Sequence, residues 1–534
     1  MQNGCFIDVK DSTKSVQAGT GPGRRSEAIA LHLRLSNDLE KSGVTAVDKK
    51  YKTIGLLDHS GWGNMGDAAV QEAFIINIKK RLPNAVLIGF SMYPDDTRKR
   101  HNIVTYPIRW WYPGWKGSGI SSANVPEPQS KLRSILKRCR PFYACAKPVR
   151  DVAREFLHLI RSYKIVRSLD LLIMSGGGQL CELHGDLPYN VFKFCVLAKL
   201  SNTPVFIVGV GADLLERPLN RFFARWSVRS ADYASFRSDE SQALIRSLGV
   251  TTETHVCPDP AYALGVPEYL AAESSNTLTN VESQDLLRTL GAEMETQVRT
   301  YPAHAFGLQG HPTAKPSNKP KLKVGLNPMG FCDPRRWPRK DEAVYRDYLD
   351  KVAAFSAWLL TQGYHLEIFT SDALTDVFAI EDLKKKLLAG VSSDEASKVV
   401  FRPLPTLKEL LLQMSTFDYV ITSKFHGVIF SHLLGKPMIA LSYLPKIDHL
   451  MRAGGYDRYC LDIEHFDVKT LIESFQSLVD ERDYLRALFR ETSTTYADAL
   501  RVHFDNLFGA EVVTQVRLAE TGPAEVAGSR NEIR

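Results

Sequence analysis

The sequence predicts an α/β protein with two domains, each built on a parallel β-sheet that helices cover. Three observations lead to this fold class. Short apolar runs that suit buried strands, such as 52–58 and 204–210, alternate with helical patterns and glycine turns, which is typical of parallel sheets. A similar pattern restarts near residue 321. The chain has 534 residues, which is too long for one hydrophobic core.

The first domain is predicted from a series of strands that end in glycine turns. The strand at 52–58 leads into the turn at 61–67, which reads GWGNMGD, and an amphipathic helix follows with apolar side chains at helical spacing from 69 to 78. Later strands lead into the turns at 175–178 and 211–213. Reactive side chains in such folds lie at the carboxyl ends of the strands.

The second domain repeats this alternation. A helix is predicted at 345–360. The predicted strands lie at 323–326, 365–370, 418–421 and 436–441. Two such halves, joined by a linker, place a ligand cleft where their strand ends face each other.

Changes in composition along the chain indicate the domain boundaries. Residues 1–50 are polar, and residues 268–320 are rich in Ser, Thr, Pro and Gly without a sustained apolar period. The predicted units are a polar N-terminal extension at 1–50, a first domain at 51–267 with a basic and aromatic insertion at about 93–168, a linker or insertion at 268–320, a second domain at 321–509, and a flexible tail at 510–534.

Composition and charge narrow the functional classes. An apolar content of 44% and a charged content of 24% are ordinary for a soluble globular protein. The net charge of +7 fits anionic small molecules or a membrane surface and does not by itself indicate nucleic acid. Apolar runs fall well short of the roughly 20 residues that span a bilayer, and the eight cysteines form no CxxC pair. We therefore expect a cytoplasmic protein with reduced thiols, no zinc site and no nucleic-acid partner.

The turn at 61–67 satisfies the glycine pattern of dinucleotide-binding folds. Its glycines let the backbone approach an anion, and the following helix N-terminus offers unpaired N–H groups. The acid that would bind a ribose at the end of the second strand is missing, since Ser91 follows Phe90, which disfavours NAD. Asn64 and Asp67 are candidate ligand contacts, and a helix cap is the alternative role for Asp67.

Further turns in the first domain carry candidate residues. Three successive glycines at 176–178 are conformationally costly, which favours close approach of a ligand or another backbone. Gly177 and Gly178 are therefore candidates. Arg237 is predicted at the end of a short strand, where it either pairs with neighbouring acids or binds a carboxylate or phosphate. Asp259, between two prolines, is predicted to belong to a structural turn.

The second domain carries a histidine directly after a predicted strand. The apolar run at 419–421 is followed by Ser423, Lys424 and His426, and Lys446 follows the next strand. An imidazole can transfer a proton near neutral pH, and an ammonium group can hold an anion. The pair therefore suggests an acid/base enzyme that handles a negatively charged substrate.

Taken together, these motifs resemble those of the polysaccharide pyruvyl transferase family. The shared features are a Gly-x-x-Asn-x-Gly-Asp turn at 61–67, the glycines at 176–178, an Arg-x-x-x-Ser segment at 237–241, a Pro-Asp-Pro turn at 258–260, a Ser-basic-x-His motif at 423–426 and a Tyr-x-x-Lys motif at 443–446. The ordered set covers most of the chain. The sequence departs at Lys424, where many relatives carry arginine, and at Ser238, where an aspartate is common.

The resemblance implies two Rossmann-like domains facing a cleft, like the GT-B glycosyltransferases. It also implies transfer of a pyruvyl group from phosphoenolpyruvate to a sugar of an exopolysaccharide or cell-surface glycan, as a ketal. Arg237, His426 and Lys446 match the positions that family members use at the donor site, and we hypothesise that His426 performs the acid/base step. The other predicted substrate-binding residues are Asn64, Asp67, Gly177, Gly178, Ser423 and Lys424. Phosphoenolpyruvate is the expected donor substrate, and no metal or separate cofactor is expected.

The predicted insertion contains a basic and aromatic segment. Trp110, Trp111 and Trp115 precede a series of cations at 131–150. Tryptophans beside a cationic amphipathic helix suit the anionic inner face of a membrane, where a lipid-linked sugar acceptor would reside. A solvated flank that packs against the first domain is the alternative interpretation.

Two other functional classes stay open. A nucleotide-sugar glycosyltransferase of the same architecture would need an acid in the second domain to bind the donor ribose, and Glu367 or Asp372 could serve. An inert carbohydrate-binding or assembly protein would not need His426, Arg237 and Lys446. A thermal-shift screen with phosphoenolpyruvate, NAD and nucleotide sugars separates the three classes.

Overall fold

The computed structural model describes residues 51–58, 61, 63–110, 140–182, 187–275, 322–372, 375–401 and 406–509. For residues 140–149 and 271–275 only the backbone is described. The predicted extension at 1–50, the tail at 510–534 and most of the linker at 268–320 lie outside the described residues.

The first domain contains a seven-stranded sheet and a separate two-stranded one. Its strands are β1 (Thr53–Leu57), β2 (Val86–Ser91), β3 (Val104–Pro107), β4 (Leu171–Ser175), β5 (Leu180–Cys181), β6 (Val205–Val210), β7 (Ala212–Asp213), β8 (Tyr233–Phe236) and β9 (His255–Val256). Its helices are α1 (Met65–Arg81), α2 (Pro94–His101), α3 (Arg140–Val166), α4 (Leu187–Ser201), α5 (Pro218–Ser230), α6 (Asp239–Ser247) and α7 (Val266–Ser275), with a 3₁₀ turn at Pro260–Leu264. The large sheet has the order β3-β2-β1-β4-β6-β8-β9, and β5 pairs with β7.

The second domain contains a six-stranded sheet. Its strands are β10 (Lys323–Asn327), β11 (His365–Ile368), β12 (Val399–Phe401), β13 (Tyr419–Thr422), β14 (Met438–Ser442) and β15 (Cys460–Asp462). Its helices are α8 (Glu342–Thr361), α9 (Val377–Gly390), α10 (Ser393–Ala396), α11 (Leu407–Ser415), α12 (Phe425–Leu433), α13 (Pro445–Ala453), α14 (Val468–Asp480) and α15 (Arg482–Phe508), with a 3₁₀ turn at Asp457–Tyr459. The sheet has the order β12-β11-β10-β13-β14-β15.

Both large sheets are parallel throughout and reverse their strand order near the middle. In the first sheet β1 lies between β2 and β4, and in the second β10 lies between β11 and β13. Ligands of open α/β sheets bind outside the strand ends at such a switch point. The predicted fold class, two domains with helix-covered parallel sheets, is thereby confirmed.

The last helix, α15, connects the second domain back to the first. The ring of Phe504 packs edge-on against Phe74 of α1, with the ring centroids 5.4 Å apart. Nη2 of Arg81 lies 2.7 Å from Oδ1 of Asp505. One cluster of buried apolar side chains consequently runs from one face of the first sheet into the second domain, while a separate cluster fills the opposite face of the first sheet.

We expect substitution of Phe504 by alanine to lower the free energy of unfolding by about 3–5 kcal/mol, the usual cost of removing a buried phenyl ring. Phe504 is completely buried, so the cavity would lie where the two domains share one core. Denaturant titration measures the change. Tyr484→Ala on the same helix is the control, because Tyr484 is 63% exposed and its loss should cost less than about 0.5 kcal/mol. Equal stability of the two variants would contradict this packing.

Candidate functional site

The start of α1 forms one wall of the interdomain cleft. Oδ1 of Asn64 accepts hydrogen bonds from the backbone N–H of Gly66 (2.9 Å) and of Asp67 (3.4 Å), so Asn64, and not Asp67, caps the helix. Asn64 also forms an isolated antiparallel bridge with Asp372 of the second domain, and Met65 N–H donates to the Ser371 carbonyl at 2.8 Å. The helix N-terminus is thus held against the second domain.

The glycine turn after β4 lies beside two charged side chains. Gly177 has a φ of +68°, and a Cβ atom placed there would lie 3.9 Å from Oδ1 of Asp67. A Cβ atom on Gly178 would lie 3.8 Å from Nη2 of Arg237. The turn therefore borders the space that the carboxylate and the guanidinium share.

Arg237 follows β8 and is held by a buried ion pair. Its Nη1 donates to Oδ2 of Asp259 at 3.0 Å, and the two side chains are only 6% and 3% exposed. Oδ1 of Asp259 accepts from Ala261 N–H at 3.0 Å, so this aspartate also caps the following 3₁₀ turn. The guanidinium carbon lies 4.6 Å from the centroid of the Phe425 ring in the second domain. The partner of Arg237 is thus Asp259 and not the acids beside it in sequence.

His426 lies in the first turn of α12, at the end of β13, and faces α1 of the first domain. A Cβ atom on Gly66 would lie 1.9 Å from its Nδ1, so only glycine fits opposite the ring. The residue is partly exposed, but its Nε2 atom is buried and has no hydrogen-bond partner among the described residues. Burial lowers the pKa of His426 to about 4; the nearby Asp259 opposes this effect, while Arg237 and Lys446 add to it.

Lys446 lies in the first turn of α13, after β14. Its ammonium nitrogen is 5.4 Å from the centroid of the Phe425 ring, the same ring that Arg237 contacts. Cations are attracted to the face of an aromatic ring, so Phe425 brings two cationic side chains from different domains together. The N-termini of α12 and α13 add their unpaired N–H groups to this edge of the cleft.

Asp67 belongs to the same electrostatic cluster. Burial raises the pKa of its carboxyl group to about 6; Arg237 and Lys446 lower it, while Asp372 and Asp259 raise it. The carboxyl group of Asp67 therefore takes up its proton near pH 6, well above the ordinary pKa of an aspartate. A carboxyl group and an imidazole with shifted pKa values in one cleft are typical of catalytic sites.

Ser423 and Lys424 lie next to this cluster but bind groups of their own domain. Ser423 is buried, with its hydroxyl 3.1 Å from the Tyr348 hydroxyl. Nζ of Lys424 lies 2.9 Å from Asp376 and 3.7 Å from Asp372. Burial alone would lower the pKa of Lys424, but the two carboxylates outweigh it and raise that pKa. The predicted role of both residues in donor binding stays a prediction.

The structure brings six of the predicted site residues to one place and adds four that were not predicted as site residues. The six are Asp67, Gly177, Gly178, Arg237, His426 and Lys446. The four are Asp259, which orients Arg237; Phe425, which contacts both cations; Gly66, which leaves room for His426; and Gly211, where a Cβ atom would lie 2.5 Å from Nε of Arg237. The sequence predicts Asp259 only as part of a structural turn, and its pairing with Arg237 is a finding of the structure.

The two acids that could serve a nucleotide-sugar donor already have partners within the protein. Glu367 is buried within β11, where it accepts a hydrogen bond from Gln413 at 2.7 Å and pairs with Lys323 at 3.1 Å. Asp372 lies beside Lys424 and bridges to Asn64.

Among the residues described, no group of three His, Cys, Asp or Glu side chains has the arrangement of a metal site. No helix in the described part of the chain is long and apolar enough to cross a membrane.

Two Rossmann-like domains whose strand ends face each other across a cleft lined by charged side chains of both signs define a GT-B-like α/β protein. The sequence model of the polysaccharide pyruvyl transferase family matches residues 64–445. The chain therefore belongs to the polysaccharide pyruvyl transferase family, as the motifs predicted. No curated protein matches the sequence at a significant level.

Several solved structures are similar to this chain at low sequence identity. The UDP-GlcNAc 2-epimerase of Neisseria meningitidis is 11% identical, with a TM-score of 0.47 over 86% of this chain and 100% of that one. The UDP-GlcNAc 2-epimerase of Methanocaldococcus jannaschii is 10% identical, with a TM-score of 0.47 over 87% and 99%. The spinosyn rhamnosyltransferase SpnG is 12% identical, with a TM-score of 0.40 over 87% and 99%.

We expect the imidazole of His426 in the free protein to titrate near pH 4, since it is buried beside two cations. Histidine side chains usually titrate near pH 6.5, so His426 should be neutral at pH 7. An NMR titration of the protein with ¹³C-labelled histidine measures the midpoint, and the spectrum of His426→Gln identifies the signal. A midpoint at or above 6.5 would contradict the buried position of the ring.

Proposed function

We propose that the cleft binds phosphoenolpyruvate and transfers its pyruvyl group to a sugar as a ketal. The observation that carries this proposal is the meeting of Arg237 and Lys446 on one aromatic ring, beside the imidazole of His426. The donor is a three-carbon enol ester with one carboxylate and one phosphate. Its two anionic groups match two cationic side chains that come from opposite domains. Family membership supports pyruvylation of a polysaccharide in general terms.

Each cation suits a different anionic group of the donor. The guanidinium group of Arg237 is planar, and Asp259 holds it in one orientation. A planar donor group of this kind suits a flat carboxylate. Lys446 carries a compact charge at a helix N-terminus, which suits a phosphate. The bound anions would oppose the effect of both cations on His426 and so raise the pKa of its imidazole toward the ordinary value. Donor binding would therefore prepare the imidazole to exchange a proton near neutral pH.

The reaction requires two additions at the enol carbon of the donor. The first sugar hydroxyl adds to C2 while C3 gains a proton and becomes a methyl group. The C2–O bond to phosphate then breaks, and the second hydroxyl adds to C2 and closes the ketal. Two hydroxyl protons are lost, C3 gains one proton and phosphate leaves with the other. We propose that the neutral imidazole of His426 accepts the proton of an attacking hydroxyl and passes one to C3.

A thermal-shift titration tests donor binding. Phosphoenolpyruvate should raise the melting temperature, since a ligand at 100 times its Kd adds about 2.7 kcal/mol of stability. NAD and a UDP-sugar at the same concentration should have no effect, and inorganic phosphate should have a smaller one. Stabilisation by the UDP-sugar without an effect of phosphoenolpyruvate would replace the proposed function with that of a nucleotide-sugar transferase.

A further inference from the structure

The first domain exposes large apolar side chains on three neighbouring helices. They belong to α3, α4 and α5, and α4 packs against both of the others. The apolar face is defined here as Phe156, Leu157 and Ile160 of α3, Leu200 of α4, and Leu219 and Phe222 of α5, with exposures of 40–67%. Monomeric proteins rarely expose contiguous apolar patches of large side chains, and those that exist commonly mark interaction sites.

The apolar face is continuous from one helix to the next. A groove of about 550 Å³ between α3 and α4 is lined by Ile160, Phe192 and Leu200, among other apolar side chains. The ring of Phe192 then lies 5.9 Å from that of Phe222 and 5.0 Å from that of Trp226. The exposed side chains of α3 and α5 are therefore connected through α4 and do not form isolated patches.

Exposed cations lie on two of the helices that form the apolar face. The basic rim is defined here as Arg154, Arg161 and Lys164 of α3 and Arg221, Arg225 and Arg229 of α5, all of which are exposed. The sequences of α4 and α5 contain no Asp or Glu. The two acids of α3 between residues 150 and 166 form ion pairs, Asp151 with Arg150 and Glu155 with Lys193, both at 3.0 Å. The rim consequently carries a strong excess of positive charge.

We propose that the apolar face and its basic rim dock on the surface of an anionic lipid bilayer. Apolar side chains of the face would enter the boundary between headgroups and acyl chains, while the cations would contact lipid phosphates. The ring of Trp110, which lies 5.3 Å from the guanidinium of Arg154, adds an aromatic group that prefers this boundary. The proposal goes beyond the transfer reaction, because it concerns a different surface of the first domain.

The charge of the rim favours a bilayer over a second copy of the chain. Two copies that met through this face would place the same cations opposite each other, and like charges across an interface oppose association. An anionic bilayer instead presents negative charge to every cation of the rim, however the protein is rotated in the plane of the membrane. Of the predicted membrane segment, which runs from Trp110 to residue 150, residues 111–139 lie outside the described residues, so the proposal rests on Trp110 and on the described side chains of α3, α4 and α5.

Co-sedimentation with vesicles tests the proposal. The protein should bind vesicles of phosphatidylcholine with phosphatidylglycerol at low salt, bind phosphatidylcholine alone much more weakly, and be released by high salt. The double variant Arg221→Gln/Arg225→Gln should bind about 30-fold more weakly, since each basic residue near an anionic surface contributes about 1 kcal/mol. Failure of the unmodified protein to bind anionic vesicles at low salt would overturn the proposal.

A second pair of substitutions tests the apolar contribution. Leu219→Ser/Phe222→Ser should weaken vesicle binding at least about tenfold, because two large apolar side chains lose their burial in lipid. Leu412→Ser is the matched control, since Leu412 is exposed on α11 of the second domain, and it should bind like the unmodified protein. Equal binding by the Leu219/Phe222 variant would overturn the proposal. Conversion of a dimer into a monomer by that variant would also overturn it in favour of a second copy.

Two further measurements separate this proposal from the transfer reaction. The Leu219/Phe222 variant should melt cooperatively and respond to phosphoenolpyruvate like the unmodified protein, since neither side chain belongs to the cleft. His426→Ala should bind anionic vesicles normally. Loss of vesicle binding in His426→Ala would show that the cleft and not the apolar face controls association, and would overturn the proposal.

Discussion

Substitution of His426 by alanine should reduce pyruvyl transfer by roughly 100- to 10,000-fold, the usual contribution of a positioned acid/base group. The imidazole faces α1 of the first domain, and its pKa responds to both cations of the cleft. Phosphate release from phosphoenolpyruvate, measured with a surface polysaccharide as acceptor, reports the rate. Binding of phosphoenolpyruvate in a thermal-shift titration should persist, because Arg237 and Lys446 are unchanged.

Two variants control this experiment. His465→Ala should retain full activity, because the His465 side chain is 77% exposed and pairs with Asp462, an acid that does not belong to the charged cluster around His426. Gly66→Ala should lose activity as His426→Ala does, since the added methyl group would overlap the imidazole. A cooperative melt in every variant establishes that the fold is intact. Near-normal transfer by His426→Ala would rule out the proposed proton transfer.

Substitution of Arg237 by methionine should lower kcat/KM for phosphoenolpyruvate at least about 30-fold, which corresponds to about 2 kcal/mol for truncating one partner of a buried charge pair. The same change should lower the free energy of unfolding by about 3–5 kcal/mol, because Asp259 would remain buried without its partner. Enzyme kinetics and denaturant titration measure the two effects separately.

A double variant distinguishes donor binding from structural support. Arg237→Met/Asp259→Asn removes both charges, so much of the lost stability should return while kcat/KM stays low. Arg346→Ala is the control for the general effect of losing an arginine: its pair with Glu342 is exposed on α8 and should contribute less than about 1 kcal/mol. Recovery of kcat/KM together with stability would mean that Arg237 supports the fold and does not bind the donor.

The fold could be predicted from the sequence because its signals are local. Each buried strand is a short apolar run followed by a turn, so β10 and β13 lie where the runs at 323–326 and 418–421 predicted them. Predicting that Arg237 and His426 would come together needed two further steps: parallel strands present their carboxyl ends at one edge of each sheet, and the edges of two such domains face each other across a cleft. Arg237 directly follows β8 and His426 lies in the first turn of the helix after β13, which is why this part of the site was accessible to sequence reasoning.

The remaining contacts of the site join residues that no local pattern connects. Asp259 lies 22 residues after Arg237, in a turn whose prolines suggested only a structural role. Gly66 and His426 meet across the domain interface, and a glycine motif does not reveal which side chain will occupy the space it leaves. Phe425 looks like an ordinary core residue in sequence, although its ring contacts both cations. Such pairings depend on the relative position of the two domains.

The contact between Gly66 and His426 has a consequence for how the protein would treat its donor without an acceptor. The imidazole is shielded by a helix of the opposite lobe. Any hinge movement that parts the lobes would therefore expose the ring to water and return the pKa of His426 toward the usual value of a histidine. The same movement would draw Arg237 away from Phe425 and Lys446. Reactive geometry would thus exist only in the closed state, so the open protein would not catalyse wasteful hydrolysis of the proposed donor, phosphoenolpyruvate.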